Sequence, residues 1–197
     1  MVLGFTPYQA LMLMFAVITG GMINIPVKTW EETYTPPSGM RYPFLGLFPR
    51  RAPLTRKKFL AVNLGGAIIP GVVSLWQIYR ILTEFSETHP HGGIVFIFVL
   101  MLNTLVSYRI AKPVENRGIS LPAFIPPIVV SVPSLLLAPG IAPVIAFPAG
   151  VLGVLIGADL MHLGDIRNLN GPGGSIGGAG TFDGVFLTGV LSVFLTV

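Results

Sequence analysis

Asp159 and Asp183 stand at the inner edges of the last two apolar stretches of the chain, on either side of the segment Gly171-Pro-Gly-Gly-Ser-Ile-Gly-Gly-Ala-Gly180. A carboxylate is costly where water is scarce, and the chain has only 8 acidic residues. Two of them beside membrane-length apolar segments therefore mark a functional site. Two carboxylates brought face to face can share one proton. In that state one takes a proton from water while its protonated partner donates to a substrate carbonyl, which is the chemistry of an aspartyl hydrolase. The leading expectation is thus a diaspartyl, peptidase-like hydrolase with Asp159 and Asp183 as catalytic residues.

The same residues suit a second chemistry. Gly174, Ser175, Gly177, Gly178, Gly180 and Thr181 lead into the last apolar stretch, and glycines there allow backbone amides and carbonyls to face a ligand or a pathway. A re-entrant segment of this kind could line a route for a proton or cation, with the aspartates as ion sites. Asn24, Asn63 and Asn103, the last accompanied by Ser107, would supply supporting hydrogen bonds. Structural explanations stand beside these. Asp183 follows Thr181 at a helix start, where the dipole favours a carboxylate; Asp159 could pair with Arg167; the asparagines could simply bond neighbouring helices; the glycines could form tight turns. Asp159, His162 and Asp165 contain one pair spaced for a shared helix face, and with Asp183 added, His162 and Asp165 could offer imidazole and oxygen ligands to a hard divalent ion. No cofactor is implied, and the absence of cysteine excludes thiolate chemistry.

The elements that must position these residues follow from composition. Over half of the 197 residues are apolar and 10% are charged, against roughly a quarter charged in soluble domains. The expected fold is all-α, a single polytopic membrane domain over 1–197. Six spans are expected at about Pro7–Pro26, Phe59–Leu82, Gly92–Tyr108, Leu121–Leu137, Ile141–Leu160 and Thr181–Val197. The first lacks a basic leader and cleavage site and reads as a retained helix. Pro122, Pro126, Pro127 and Pro133 predict that the fourth is kinked or partly unwound.

Lysines and arginines set the orientation. Residues 27–58 carry Lys28, Arg41, Arg50, Arg51, Arg56, Lys57 and Lys58, and the later connections carry Arg109, Lys112, Arg117 and Arg167. By the positive-inside rule these connections are cytoplasmic and both termini lie outside, with Arg80 the exception. The mixture of Trp30, Tyr34, Tyr42, Phe44 and Phe48 with basic residues makes 27–58 an interfacial loop at the lipid headgroups; residues 161–180 read as a glycine-rich cytoplasmic or re-entrant loop. The formal net charge of +4 is then a topology signal, and nucleic acid is not an expected partner. The bilayer is, together with a membrane peptide or small ion as substrate. A homo-oligomer or a non-enzymatic assembly subunit is compatible with the same composition.

Two resemblances bear on this. Gly178-Ala-Gly180-Thr-Phe-Asp183 is similar to the Gly-x-Gly-Asp motif of intramembrane aspartyl proteases, with two extra residues before the aspartate. Pro122-Ala123-Phe124 resembles their Pro-Ala-Leu motif but precedes the aspartates. Met22-Ile-Asn-Ile-Pro26, Gly157-Ala-Asp-Leu160 and Ser175-Ile-Gly-Gly-Ala-Gly-Thr-Phe-Asp-Gly184 resemble motifs of the DUF1614 family across essentially the whole chain. Met161-His162 departs from the leucine-asparagine pair expected there. That resemblance implies a compact multi-span protein of a prokaryotic cytoplasmic membrane with no established activity.

Overall fold

The computed structural model describes residues 2–34, 54–114, 118–168, 173–178 and 184–197. Helices dominate. They are α1 (Pro7–Gly20), α2 (Leu64–Leu82), α3 (Gly92–Ile110), α4 (Ile125–Leu137), α5 (Ala142–Val154), α6 (Leu163–Asn168) and α7 (Gly184–Thr196). The strands are β1 (Asn24–Tyr34), β2 (Leu54–Asn63), β3 (Lys112–Val114), β4 (Gly118–Ser120) and β5 (Gly173–Ile176).

Among the described residues three helical segments are long and apolar enough to cross a membrane: Leu64–Leu82, Gly92–Ile110 and Pro139–Asp165. Helices α1, α4 and α7 are apolar but have only 14, 13 and 13 residues, or about 20 Å of rise against a hydrocarbon core of about 30 Å. Six full-length spans are therefore not what the described residues form. Contacts at the helix ends show that α1, α2, α3, α4, α5 and α7 alternate in direction. The start of α1 meets the end of α2 through Leu3 and Gln77. The start of α3 meets that of α5 through Gly92 and Ile141, and the starts of α4 and α7 meet through Leu121 and Gly184.

The all-α expectation is corrected by the strands. β1 and β2 pair antiparallel from Asn24↔Asn63 to Tyr34↔Leu54, and β5 joins β2 in parallel, giving the order β1-β2-β5. The two ends of the expected interfacial loop are thus a hairpin; residues 35–53 lie outside the described set. β-Branched and aromatic residues such as Ile25, Val27, Thr29, Trp30, Thr33 and Val62 suit extended backbone, and the mixture with basic residues masked them. Pro26 cannot donate a ladder bond, and the register shifts between Pro26 and Lys28. Buried Lys58 on β2 forms an ion pair with the more exposed Glu32 of β1. Part of the expected glycine-rich loop is likewise β5, with Gly173 at φ 125° packed so closely on Phe59 that a Cβ would overlap its carbonyl.

Each helix begins where its sequence allows. Thr6 accepts from the Gln9 amide while the Gln9 side chain accepts from the Thr6 amide, a capping box before Pro7. Asn63 caps α2, whose first turn, Leu64–Ile68, is π-helical, so the expected start at Phe59 moves to Leu64. The expected extension of the first span to Pro26 ends at Gly20, because β1 begins at Asn24. Pro126 and Pro127 lie in the first turn of α4, where no donor is lost, and the helix is unbroken through Pro133. The expected unwinding is not found between Ile125 and Leu137.

Helix α5 is the centre of the bundle, enclosed by α2, α3, α4 and α7. Ala142, Ile145, Ala146, Ala149, Val151 and Val154 are all buried. Its small residues set the approach of α3: a Cβ at Gly157 would overlap the Thr104 carbonyl, and one at Gly153 would lie 2.5 Å from Asn103 Nδ2. Gly153-Val-Leu-Ile-Gly157 is a small-xxx-small pattern of the type that lets membrane helices touch backbone to backbone. At the far end from the three-stranded sheet, Arg80 donates to Glu84 at 2.7 Å, and Gln77 joins Arg80 to the Leu3 carbonyl.

Gly157→Leu should lower stability in detergent by at least the ~1–3 kcal/mol that overpacking typically costs. Gly71→Ala, where a Cβ meets open space, should leave it within ~1 kcal/mol of wild type. Thermal unfolding followed by circular dichroism distinguishes the two.

Candidate functional site

At the sheet end of the bundle, α5 runs into a π-helical turn, Leu155–Asp159, and then a 3₁₀ turn, Leu160–His162. A π turn inserts one residue into the helical repeat and re-aims the side chains that follow, and such turns are frequent at functional sites. Here it carries Asp159, half-buried, with Oδ2 accepting from the Gly177 amide at 2.7 Å. Gly177 adopts φ 78°, and a Cβ there would lie 2.6 Å from the Ala67 amide nitrogen. Ala67 belongs to the other π turn, at the start of α2. The glycine segment is thus clamped between two π turns, one of which supplies a carboxylate.

A second network secures the same layer. Buried Asn63 donates from Nδ2 to the Gly21 carbonyl at 2.8 Å and to Asn24 Oδ1 at 3.1 Å, while its Oδ1 accepts from the Gly66 amide at 2.7 Å. Ser175 donates to the same Asn24 oxygen at 2.6 Å. One asparagine therefore ends α1, starts α2 and, through Asn24, reaches β5. Five of the residues singled out in the sequence, Asn24, Asn63, Asp159, Ser175 and Gly177, meet in this layer. Gly174 pairs with Leu60 in the ladder beside them, and Gly178 follows at φ 71°. Gly180, Thr181 and Asp183 lie outside the described residues.

Asn103 is elsewhere. It sits mid-bundle on α3 and donates to the Ala149 and Gly150 carbonyls of α5, both at 3.2 Å. Its role is the contact between those helices, and Ser107 is buried one turn beyond it. His162 is buried too, its Nδ1 3.1 Å from the Gly157 carbonyl and its ring 5.0 Å from that of Tyr108. Asp165 is exposed. Among the described residues no group of three metal-ligating side chains converges, and Asp183, the further ligand of the metal pattern, lies outside them.

Asp159 also lines a cavity of ≈ 210 Å³ with Ile119, Ser120, Leu121, Val154, Ala158 and Gly184. Gly184 is the first residue of α7, next in sequence to Asp183. From it a line of buried hydroxyls follows one face of α7: Thr188, Ser192 and Thr196, spaced four residues apart. Thr188 donates to the Gly184 carbonyl, Ser192 to that of Gly189 and Thr196 to that of Ser192. Ser131 and Ser134 of α4 are buried on the facing helix, with Ser131 Oγ 3.4 Å from the Ser192 carbonyl. This seam was missed in the sequence, although Thr188, Ser192 and Thr196 share a helix face by spacing alone. Thr188, Ser192 and Thr196 also resemble ordinary helix residues bonded back to their own backbone.

Comparison with known proteins adds one match. The model of a family described as a protein of unknown function, DUF1614, matches residues 18–195. No curated protein and no solved structure matches.

Asn63→Ala should cost about 2–3 kcal/mol, because it leaves the Gly21 carbonyl and Gly66 amide without partners in a buried layer, whereas Ser175→Ala should cost about 1 kcal/mol. Gly177→Ala should release Asp159 from the glycine segment, seen as faster amide hydrogen exchange in 173–178 with the helices still protected. Equal loss of stability in all three variants would contradict this order.

Proposed function

The chain belongs to the DUF1614 family, whose description assigns no activity, and we propose from the geometry of its own residues that it is a membrane-embedded carrier of protons or small cations. Asp159 is the ion-binding carboxylate, and the hydroxyl seam between α4 and α7 is the path across the bundle. The observation that carries this reading is alignment. Gly184 lines the cavity of Asp159, and the buried hydroxyls of Thr188, Ser192 and Thr196 recur every fourth residue along α7 from there. Twelve residues of helix separate Gly184 from Thr196, about 18 Å of rise. Hydroxyls that donate to a carbonyl keep acceptor lone pairs and can exchange donors, so they can pass a proton or solvate a cation where a methyl cannot. Carboxylates inside membrane bundles mark such relays.

In this reading the six alternating helices all lie in the bilayer, the three shorter ones against neighbours or locally thinned lipid. The sheet and its basic residues face the cytoplasm of a prokaryotic cell and both termini face outward. Gly174–Gly178 supplies a rigid floor to the cavity, with Asn24 and Asn63 holding it to the helices.

One observation favours a second reading. Gly184 lines the cavity of Asp159, and Asp183 precedes it directly, which supports a diaspartyl pair able to hydrolyse a peptide bond. The same preparation separates the two. In proteoliposomes carrying a pH-sensitive dye, wild type should dissipate an imposed proton or sodium gradient. Asp159→Asn should abolish the flux, and Thr188→Val with Ser192→Ala should slow it at least ~10-fold. Absence of wild-type flux, together with cleavage of a membrane-spanning peptide that both Asp159→Asn and Asp183→Asn abolish, would replace the carrier with the hydrolase.

A further inference from the structure

A second cavity, of ≈ 520 Å³, lies on the other side of α7 and plays no part in the carrier reading. It separates α1 from the bundle. Helix α1 touches α2 at its two ends: a Cβ at Gly65 would overlap the Val17 carbonyl, and Leu3 accepts from Gln77. Between those points its inner face, from Pro7 through Ala10 and Leu13 to Val17, looks across the gap at Val190 and Val193 of α7. The walls are almost wholly carbon, and the volume is within the range of ligand-binding pockets.

We propose that this groove holds one hydrocarbon chain of a bilayer phospholipid, with the phosphate recognised by Arg80. Shape supplies the first argument. The groove runs along α1 from Pro7 to Val17, ten helical steps or about 15 Å of rise, which is half the hydrocarbon thickness. That is the reach of a chain entering from one leaflet and lying parallel to the helices. Polarity supplies the second: water gains no partners between such walls, whereas methylene groups fill them. Charge supplies the third. The groove reaches Val2, Leu3 and Phe5, and the Arg80 guanidinium packs under Gly4 between them, 2.9 Å from where a Cβ would lie. Arg80, 11% exposed, is ion-paired with Glu84, donates to Gln77 and lies over the Phe85 ring at 5.2 Å, which uses two of the five N–H groups of a guanidinium. The remaining donors suit a phosphate oxygen at the mouth of the groove.

The test is lipid retention. Protein purified in mild detergent from nanodiscs of phosphatidylglycerol and phosphatidylethanolamine is assayed for bound phosphorus and by native mass spectrometry. Wild type should keep about one phospholipid per chain and prefer the anionic lipid. Ala10→Trp and Val190→Phe, which fill the groove from opposite walls, should each reduce retention at least fivefold with an unchanged helical spectrum. Arg80→Gln should remove the preference for phosphatidylglycerol. Having one variant on each wall keeps the test valid if either fails to fold. Retention equal in wild type and both filled variants would overturn the proposal. So would disulfide formation between Ala10→Cys and Val190→Cys, within one chain if α1 closes the gap itself or between chains if a second copy occupies it. None of these outcomes depends on ion flux.

Discussion

The structure depends on the enclosure of α5. An apolar helix gains nothing from burial when the alternative surroundings are lipid, so neighbouring helices must hold it by close packing and by hydrogen bonds. Gly153 and Gly157 supply the first on the α3 side, and the Asn103 amide, bonded to the Ala149 and Gly150 carbonyls, supplies the second. On the opposite side Gly150 and Gly189 admit α7, where added Cβ atoms would lie 2.9 Å from Thr188 and 3.0 Å from Phe147. With α5 held in this way, its last turns emerge from the bundle in one place, beside the sheet.

That emergence is where polarity gathers. The π turn that ends α5 and the π turn that opens α2 face the same glycine segment: the first accepts the Gly177 amide through Asp159, and the second packs so closely that Gly177 tolerates no side chain. Asp159 and Asn63 are both side-chain acceptors of a backbone amide, Asp159 from Gly177 of the glycine segment and Asn63 from Gly66 of the π turn that opens α2. The sheet is therefore not an appendage to the bundle: β2 passes directly into α2 through Asn63, and β5 is bonded to the end of α5 through the residue that follows it. The carboxylate that lines the cavity is also a structural acceptor, which keeps it at a fixed depth and orientation.

Much of the helical framework was legible from composition and spacing. Helices α2, α3 and α5 lie in the stretches where apolar residues run longest, and the structure shows Thr6 and Asn63 capping the starts of α1 and α2. Of the candidate site, Asn24, Asn63, Asp159, Ser175 and Gly177 were recognised as polar or permissive residues at one end of the chain's apolar segments, and they converge. Asn103 was grouped with them because its depth along α3 was judged from span boundaries, which say nothing about which helix face a residue occupies. The hydroxyl seam escaped because serine and threonine carry no penalty in a helix that can bond them internally.

The amino-acid sequence by itself determined that the chain is a helical, membrane-compatible protein, since 52% apolar and 10% charged residues leave no means of clothing a soluble surface. Only the tertiary structure decided that residues around 24–34, 54–63 and 173–176 form one sheet, because strand pairing joins segments more than a hundred residues apart and local pattern does not encode partners. It alone decided that Asp159 bonds Gly177 and shares a cavity with the first residue of α7. Packing of α5 against four neighbours sets those distances, and no spacing along the chain contains them.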